Sequence, residues 1–211
     1  MIISVGSYKG GTGKSTVATN LAVAAALAGH RPILVDADPI ATSSRWASDR
    51  EDDGHTPAIS CVQKTGSLVQ TLRDLDQAYT HVIVDVAGRD SRELRSSMSV
   101  ADLLVIPSRV GQADIDVLQG LNDAIDQALD FNPDLTARIL WNCVPTAAFS
   151  SELADAQGVV RYEHLGQLNT ALHERKAYRD AMAEGRSVLE TNKHKAATEF
   201  AEAAKEIFNG A

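Results

Sequence analysis

Short runs of β-branched and aliphatic residues recur along the chain, each followed by a longer stretch whose apolar positions return every three or four residues. The runs "IISV" (2–5), "PILVD" (32–36), "AISCV" (58–62), "HVIVD" (81–85), "LLVIPS" (103–108) and "ARILWN" (137–142) predict six strands. Most are apolar without alternation, the pattern of strands covered on both faces of a parallel sheet. Helical periodicity predicts helices over 14–28, 66–78, 91–100 and 112–130, then over 150–163, 176–184 and 195–208, with a short strand near 166–171. Strand and helix in alternation imply an α/β fold: doubly wound, with a mainly parallel sheet flanked by helices and right-handed crossovers. No repeat, low-complexity tract or linker interrupts the sequence, so a single domain over 1–211 is expected.

Composition narrows the function classes. With 20 Lys and Arg against 28 Asp and Glu the net charge is −8, which argues against a constitutive nucleic-acid coat protein. From Arg161 onwards bases and acids balance, so the whole deficit lies in residues 1–160. Two cysteines, Cys61 and Cys143, sit in apolar settings without ligand spacing, which suggests neither a disulfide framework nor a zinc site. The apolar run "LAVAAALA" (21–28) is far shorter than the roughly 20 residues of a membrane span. Met1 leads straight into a strand-like segment, so no secretory leader is expected and a cytoplasmic protein is implied.

The stretch "SYKGGTGKST" (7–16) carries the chemistry. Gly10, Gly11 and Gly13 let the backbone turn tightly and offer N–H groups to phosphate oxygens, while the following helix brings its positive end to the same place. Lys14 can reach β- and γ-phosphates, and the Ser15 hydroxyl is placed to ligate a bridging Mg²⁺. Thr12 and Thr16 complete a nucleotide-binding loop over 10–16. The usual pattern has a glycine five positions before Gly13; Tyr8 stands there, and Lys9 follows it.

"KGGTGKST" resembles the deviant Walker A motif of the ParA/MinD group of P-loop ATPases. The resemblance implies that Lys9 crosses a dimer interface to the nucleotide of a second subunit, so that Lys14 serves its own ATP and Lys9 the neighbour's. "LVDADP" (34–39) is similar to the group's switch I segment, which makes Asp38 the residue that orients the attacking water and puts Asp36 near the metal shell. "HVIVDVAG" (81–88) resembles a Walker B strand, with Asp85 holding Mg²⁺ through water. The following "AGRDSREL" departs from the group's common Pro-rich turn; Arg89 and Asp90 either report nucleotide state or cap the helix starting at Ser91.

Base choice favours ATP, because "NKHK" (192–195) lacks the aspartate of the guanine-reading motif and follows no buried strand. Asn142, ending a strand, matches the position from which the group contacts the adenine amine. "HERKAYRDAMAEGRSVLE" (173–190) resembles a segment of the partition and cargo-positioning members. For those members the resemblance implies an ATP-dependent homodimer that binds nucleoid DNA non-specifically, and a ParB-like or other adaptor that stimulates slow hydrolysis. Arg161, Arg175, Lys176, Arg179, Arg186, Lys193, Lys195 and Lys205 are the bases available for DNA at the C-terminal end, set against solvated faces balanced by Glu174, Asp180, Glu184 and Glu199. Two rivals remain: a MinD-like membrane-cycling ATPase and a metabolic enzyme on the same scaffold. The tail "KAATEFAEAAKEIFNGA" carries three glutamates and reads as a helix packed on the core, so no stable membrane association is expected.

Overall fold

The computed structural model describes residues 1–88, 90–146, 151–192 and 194–210. Seven strands form one sheet: β1 (Ile2–Val5), β2 (Pro32–Ala37), β3 (Ser60–Gln63), β4 (His81–Val86), β5 (Leu103–Ser108), β6 (Thr136–Trp141) and β7 (Gly166–Gln167). Their spatial order is β3-β2-β4-β1-β5-β6-β7, and every pairing is parallel. The central strands are buried at every position, as their unbroken apolar runs require. Within each strand, alternate residues feed two separate cores.

One core lies beneath α3 (Val69–Ala78), α4 (Arg92–Met98), α6 (Leu118–Leu129) and α7 (Glu152–Val159). There Val35, Val84, Leu104 and Ile139 meet Leu72, Leu94, Leu121 and Ile125. The other lies beneath α1 (Lys14–Leu27), α2 (Thr42–Asp52), α8 (Lys176–Ala183) and α9 (His194–Asn209), where Ile3, Leu34, Ile83 and Val105 meet Leu21, Trp46, Ala181 and Phe200. The sheet is thus a middle layer between helices. α1 shows almost no amphipathic bias because it is buried nearly all round, from Lys14 to Ala25. α9 packs as its periodicity predicts, with Phe200, Ala204 and Ile207 buried and Phe208 against the same core. No helix among the described residues is long and apolar enough to cross a membrane.

Four elements differ from the sequence expectation. α2 has no apolar stripe and was not predicted, because its inward positions are Ser43, Trp46, Ala47 and Arg50. Arg50 is 1% exposed, and its charge is met by a fork on Glu190 (2.6 and 2.9 Å) and by the carbonyls of Pro57 and Gly185. The helix expected over 112–130 is divided into α5 (Gln112–Ile115) and α6, although Asp116 and Val117 between them keep helical dihedrals. The strand expected near 166–171 pairs over Gly166–Gln167, after which Leu168 and Leu172 still donate to the carbonyls of Ile139 and Trp141. A 3-10 turn, Val188–Glu190, follows α8 and is closed by a capping box between Ser187 and Glu190.

The topology fixes where ligands can gather. β1 is central, flanked by β4 and β5, and the chain leaves β1, β2 and β4 at the same carboxyl edge. Open α/β sheets bind their ligands at this crevice.

Candidate functional site

The loop between β1 and α1 is built by its own short side chains. Gly11 (φ +74°) and Gly13 (φ +90°) take left-handed backbone that side chains disfavour. Ser7 Oγ donates to the carbonyl of Lys9 at 2.9 Å and lies 3.1 Å from Thr12 Oγ1. From below, Asn142 at the end of β6 donates from Nδ2 to the carbonyl of Thr12 at 2.7 Å, and a Cβ on Gly13 would collide with this amide. No side chain caps α1. Its first N–H groups therefore converge on the loop without an internal partner, which is the arrangement that receives phosphate.

Lys14 is buried and donates from Nζ to the carbonyl of Lys9 at 3.1 Å. Burial lowers its pKa, while Asp85 and Asp38 pull it back up. Lys9 is different. Its carbonyl is held by Ser7 and Lys14, whereas its ammonium has no partner among the described residues.

Three carboxylates lie on the other side of the loop, of which Asp38 alone lines the cleft. Asp85, at the end of β4, is fully buried. Ser43 Oγ donates to its Oδ2 at 2.7 Å, whereas Oδ1 finds no hydrogen-bond partner among the described residues. Burial pushes its pKa up to about 7, opposed by Ser15 and Ser43 and reinforced by Asp36. A buried carboxylate oxygen without a partner among the described residues is suited to receive a cation. Among the described residues no three His, Cys, Asp or Glu side chains cluster as a protein-only metal cage. That suits Mg²⁺, which takes one or two protein oxygens and completes its shell with water and phosphate. Asp85 and Ser15 fit it.

Asp36 is spent differently: Oδ1 accepts the Asp38 N–H at 3.2 Å and Oδ2 the Ser44 N–H at 2.7 Å, so it secures the entry to α2. Asp38 is partly exposed, and its Oδ1 accepts the Ile40 N–H at 2.9 Å. An open cleft of about 620 Å³ brings Asp38 together with Gly10, Gly11, Gly13, Lys14, Ser15 and Thr16, walled by Gly88. A second recess of about 230 Å³ shares Gly11, Gly13 and Thr16 and adds Asn142, Arg109 and Tyr178. A larger hollow of about 760 Å³ lies between α2 and β3, but it holds none of the loop residues.

Of the loop residues singled out in the sequence, Gly10, Gly11, Gly13, Lys14, Ser15 and Thr16 line one cleft with Asp38, whereas Thr12 is buried against Ser7 and Lys9 is not among the lining residues; Asp85 stands buried beside Ser15 and Lys14. Asp36 and Asn142 stand behind it, holding α2 and the loop. Ser43, Arg109 and Gly88 escaped the sequence reading. Arg109 donates to the Gly11 carbonyl at 3.0 Å. Gly88 has no room for a side chain: a Cβ there would lie 2.5 Å from Lys14 Nζ and 2.8 Å from the Lys9 carbonyl. Its signal was present in "DVAG", a small residue just past the Walker-like aspartate; Ser43 and Arg109 had none. The cap of α4 is Ser91, whose Oγ accepts the Leu94 N–H at 3.1 Å, while Asp90 turns instead to Arg95. Arg89, and Lys193 among the C-terminal bases, lie outside the described residues.

A model of the CobQ/CobB/MinD/ParA nucleotide binding domain matches residues 3–188. The maintenance of carboxysome distribution protein A of Gloeobacter kilaueensis is 30% identical over 211 aligned residues, covering 98% of this chain and 93% of that protein. The crystal structure of a plasmid partition protein from Borrelia burgdorferi bound to AMPPNP superposes with a TM-score of 0.76 at 16% identity, covering 100% and 99% of the two chains. MinD of Pyrococcus horikoshii, complexed with Mg-ADP, gives 0.77 at 19% identity over 98% and 95%.

Proposed function

This chain belongs to the CobQ/CobB/MinD/ParA nucleotide-binding family, and from that premise we propose that it is a ParA-type ATPase switch. In this reading it dimerises with ATP, holds non-specific DNA in that state, and positions a plasmid, a chromosome or a protein assembly such as a carboxysome. Release follows hydrolysis stimulated by a ParB-like or other adaptor. A cytoplasmic protein that is nucleoid-associated in the ATP state is the corresponding location.

One observation carries the reading: Lys9 is fixed by its backbone, and among the described residues its ammonium has no partner. A cation held beside the cradle but unused by it suits a phosphate supplied by a second copy, as a finger residue in trans does. Lys14 and the N–H groups of Gly10 to Thr16 bind the phosphates of the chain's own nucleotide. Ser15 and Asp85 would hold Mg²⁺, which would supply positive charge to the nucleotide's phosphates. Asp38, partly exposed in the cleft, orients the attacking water in line with the leaving group. Asn142 and the 230 Å³ recess lie where a base could follow the phosphates around the loop.

The DNA surface rests on exposed bases. Arg175, Lys176 and Arg179 are paired with Glu199, Asp180 and Glu174. The Lys176 and Arg179 pairs are exposed, and pairs of this kind are worth about 0–1 kcal/mol, so phosphate can displace them at low cost, whereas Arg175 is forked onto a largely buried Glu199. Dimerisation would double the patch, and binding should fall steeply with salt.

The test is cosedimentation with mixed-sequence duplex DNA at low and moderate salt, with a non-hydrolysable ATP analogue or ADP, run beside size-exclusion chromatography. Dimerisation and salt-sensitive binding confined to the analogue support the switch. A monomer with both nucleotides, or DNA binding indifferent to nucleotide, overturns it.

A further inference from the structure

The first turn of α2 meets two carboxylates at once. Asp36 on β2 and Asp85 on β4 are register partners, so two buried acidic residues stand side by side near the carboxyl edge of the sheet. Like charges so placed repel, and each needs a donor. Successive residues of one helix supply them: Ser44 gives its backbone N–H to Asp36 Oδ2 at 2.7 Å, and Ser43 gives its hydroxyl to Asp85 Oδ2 at 2.7 Å. Ser43 is wholly buried.

Local preference does not put Ser43 there. Ala41, which enters α2, holds left-handed backbone (φ +57°, ψ +40°) without a side-chain cap, a conformation that a residue with a Cβ keeps only where its surroundings impose it. Its anchors lie on either side. Asp36 Oδ1 accepts the Asp38 N–H at 3.2 Å before the turn, and the two carboxylates grip Ser43 and Ser44 after it.

The Ser43–Asp85 pair sits directly behind the phosphate cleft. Thr42, the residue before Ser43, lines that cleft, as do Ala87 and Gly88 just beyond Asp85. A carboxylate turns about a broad, two-fold torsion, so an unheld Asp85 could offer either oxygen or both. With Oδ2 committed to Ser43, only Oδ1 is left, and it has no partner among the described residues. A single oxygen held in one direction suits Mg²⁺, which demands near-octahedral geometry.

We propose that Ser43 is a positioning residue for the divalent cation: by fixing Asp85 Oδ2 it presents Oδ1 to Mg²⁺ or to a water of its shell. The proposal rests on the nucleotide reading above. Groups that orient a metal's ligand in this way typically set its affinity by a factor of about 10–100.

The experiment measures the Kd of the full chain for ADP by calorimetry, first in EDTA and then across a Mg²⁺ series. Ser43→Ala is expected to raise the Mg²⁺ concentration at half effect about tenfold or more, while the Kd in EDTA stays within about twofold of wild type. Ser43→Cys, close in size but a weak donor, should move that midpoint the same way and carries the test should the alanine variant not fold. Ser43→Thr keeps a hydroxyl and should return the midpoint to within about threefold of wild type. Ser44→Ala is the control for the helix itself. It deletes a hydroxyl one residue on but leaves the backbone N–H on Asp36, so its midpoint should match wild type.

A midpoint unmoved within about twofold in Ser43→Ala and Ser43→Cys overturns the proposal, as does an equal loss of ADP affinity with and without Mg²⁺, which a merely structural role would give. If the wild-type chain binds ADP equally in EDTA and in Mg²⁺, the metal assignment of the previous subsection fails and the proposal falls with it. The two failures are distinct, because only the second shows in the wild type.

Discussion

Asn142, on the last turn out of β6, donates its side-chain amide to the carbonyl of Thr12 at 2.7 Å, across 130 residues of sequence. The sequence resemblance casts Asn142 as a reader of adenine, whereas the geometry makes it a prop beneath the phosphate loop. The two roles separate experimentally. Asn142→Ala should weaken ATP and GTP by the same factor, about tenfold, the order of a buried hydrogen bond whose acceptor is left unmet. Calorimetric titration with both nucleotides checks this; a loss confined to ATP would restore the base-reading role.

Lys9→Ala removes the ammonium that has no partner among the described residues and leaves the backbone that Lys14 and Ser7 grip. ATP affinity should stay within about threefold, because that lysine is not among the residues lining its own cleft, while the ATP-dependent dimer is lost. Sedimentation velocity with the ATP analogue gives the answer. A variant that still dimerises rejects the trans role.

Asp38→Asn is a cleaner probe of hydrolysis than alanine, because the amide oxygen can still accept the Ile40 N–H. Turnover should drop by about 10²-fold or more, the range of a lost general base, with nucleotide binding intact. Phosphate release under single-turnover conditions measures it. An ATP-bound dimer should then persist where the wild type disperses.

Arg50 is buried against Trp46 and neutralised by Glu190. Arg50→Ala strands that carboxylate and the carbonyls of Pro57 and Gly185, and should cost about 3–5 kcal/mol in urea unfolding. Glu190→Gln keeps an acceptor for Arg50 and should cost less. Equal and small losses would mean the site is wetter than the structure shows.

His81, at the start of β4, is packed beside His30 and Phe208. Burial, with the charges of His30 and the N-terminus, lowers its pKa to about 4 from an ordinary 6.5. At pH 5 the unfolded chain therefore binds a proton that the folded chain refuses. Stability from this residue is present above about pH 6.5 and is lost as pH falls towards 4, by on the order of 1–2 kcal/mol. His81→Phe should flatten that limb of the stability–pH curve, followed by thermal unfolding in matched buffers. An unchanged slope would mean that another group carries it.

The phosphate loop is legible in the sequence, since its glycines, lysine and serine are contiguous and follow from local backbone and charge requirements. So are the central strands, whose apolar runs need burial on both faces, and α9, whose stripe from Phe200 to Ile207 needs a core. α2 is not legible. Its inward side is made by Arg50, a residue that reads as solvent until Glu190, 140 residues away, is brought to meet it.

The same division runs through the site. Sequence alone determined which groups could bind phosphate and metal, because each lies in a short motif with its own chemistry. Only the tertiary structure decided what those groups meet: that Asp36 accepts the Ser44 N–H at the entry to α2, that Asp85 Oδ1 has no hydrogen-bond partner among the described residues, and that Asn142 donates to the Thr12 carbonyl beneath the loop. The reason is physical. A motif fixes the neighbours that the chain itself supplies, whereas burial, and the partners that burial demands, come from strands and helices that meet only when the sheet is assembled.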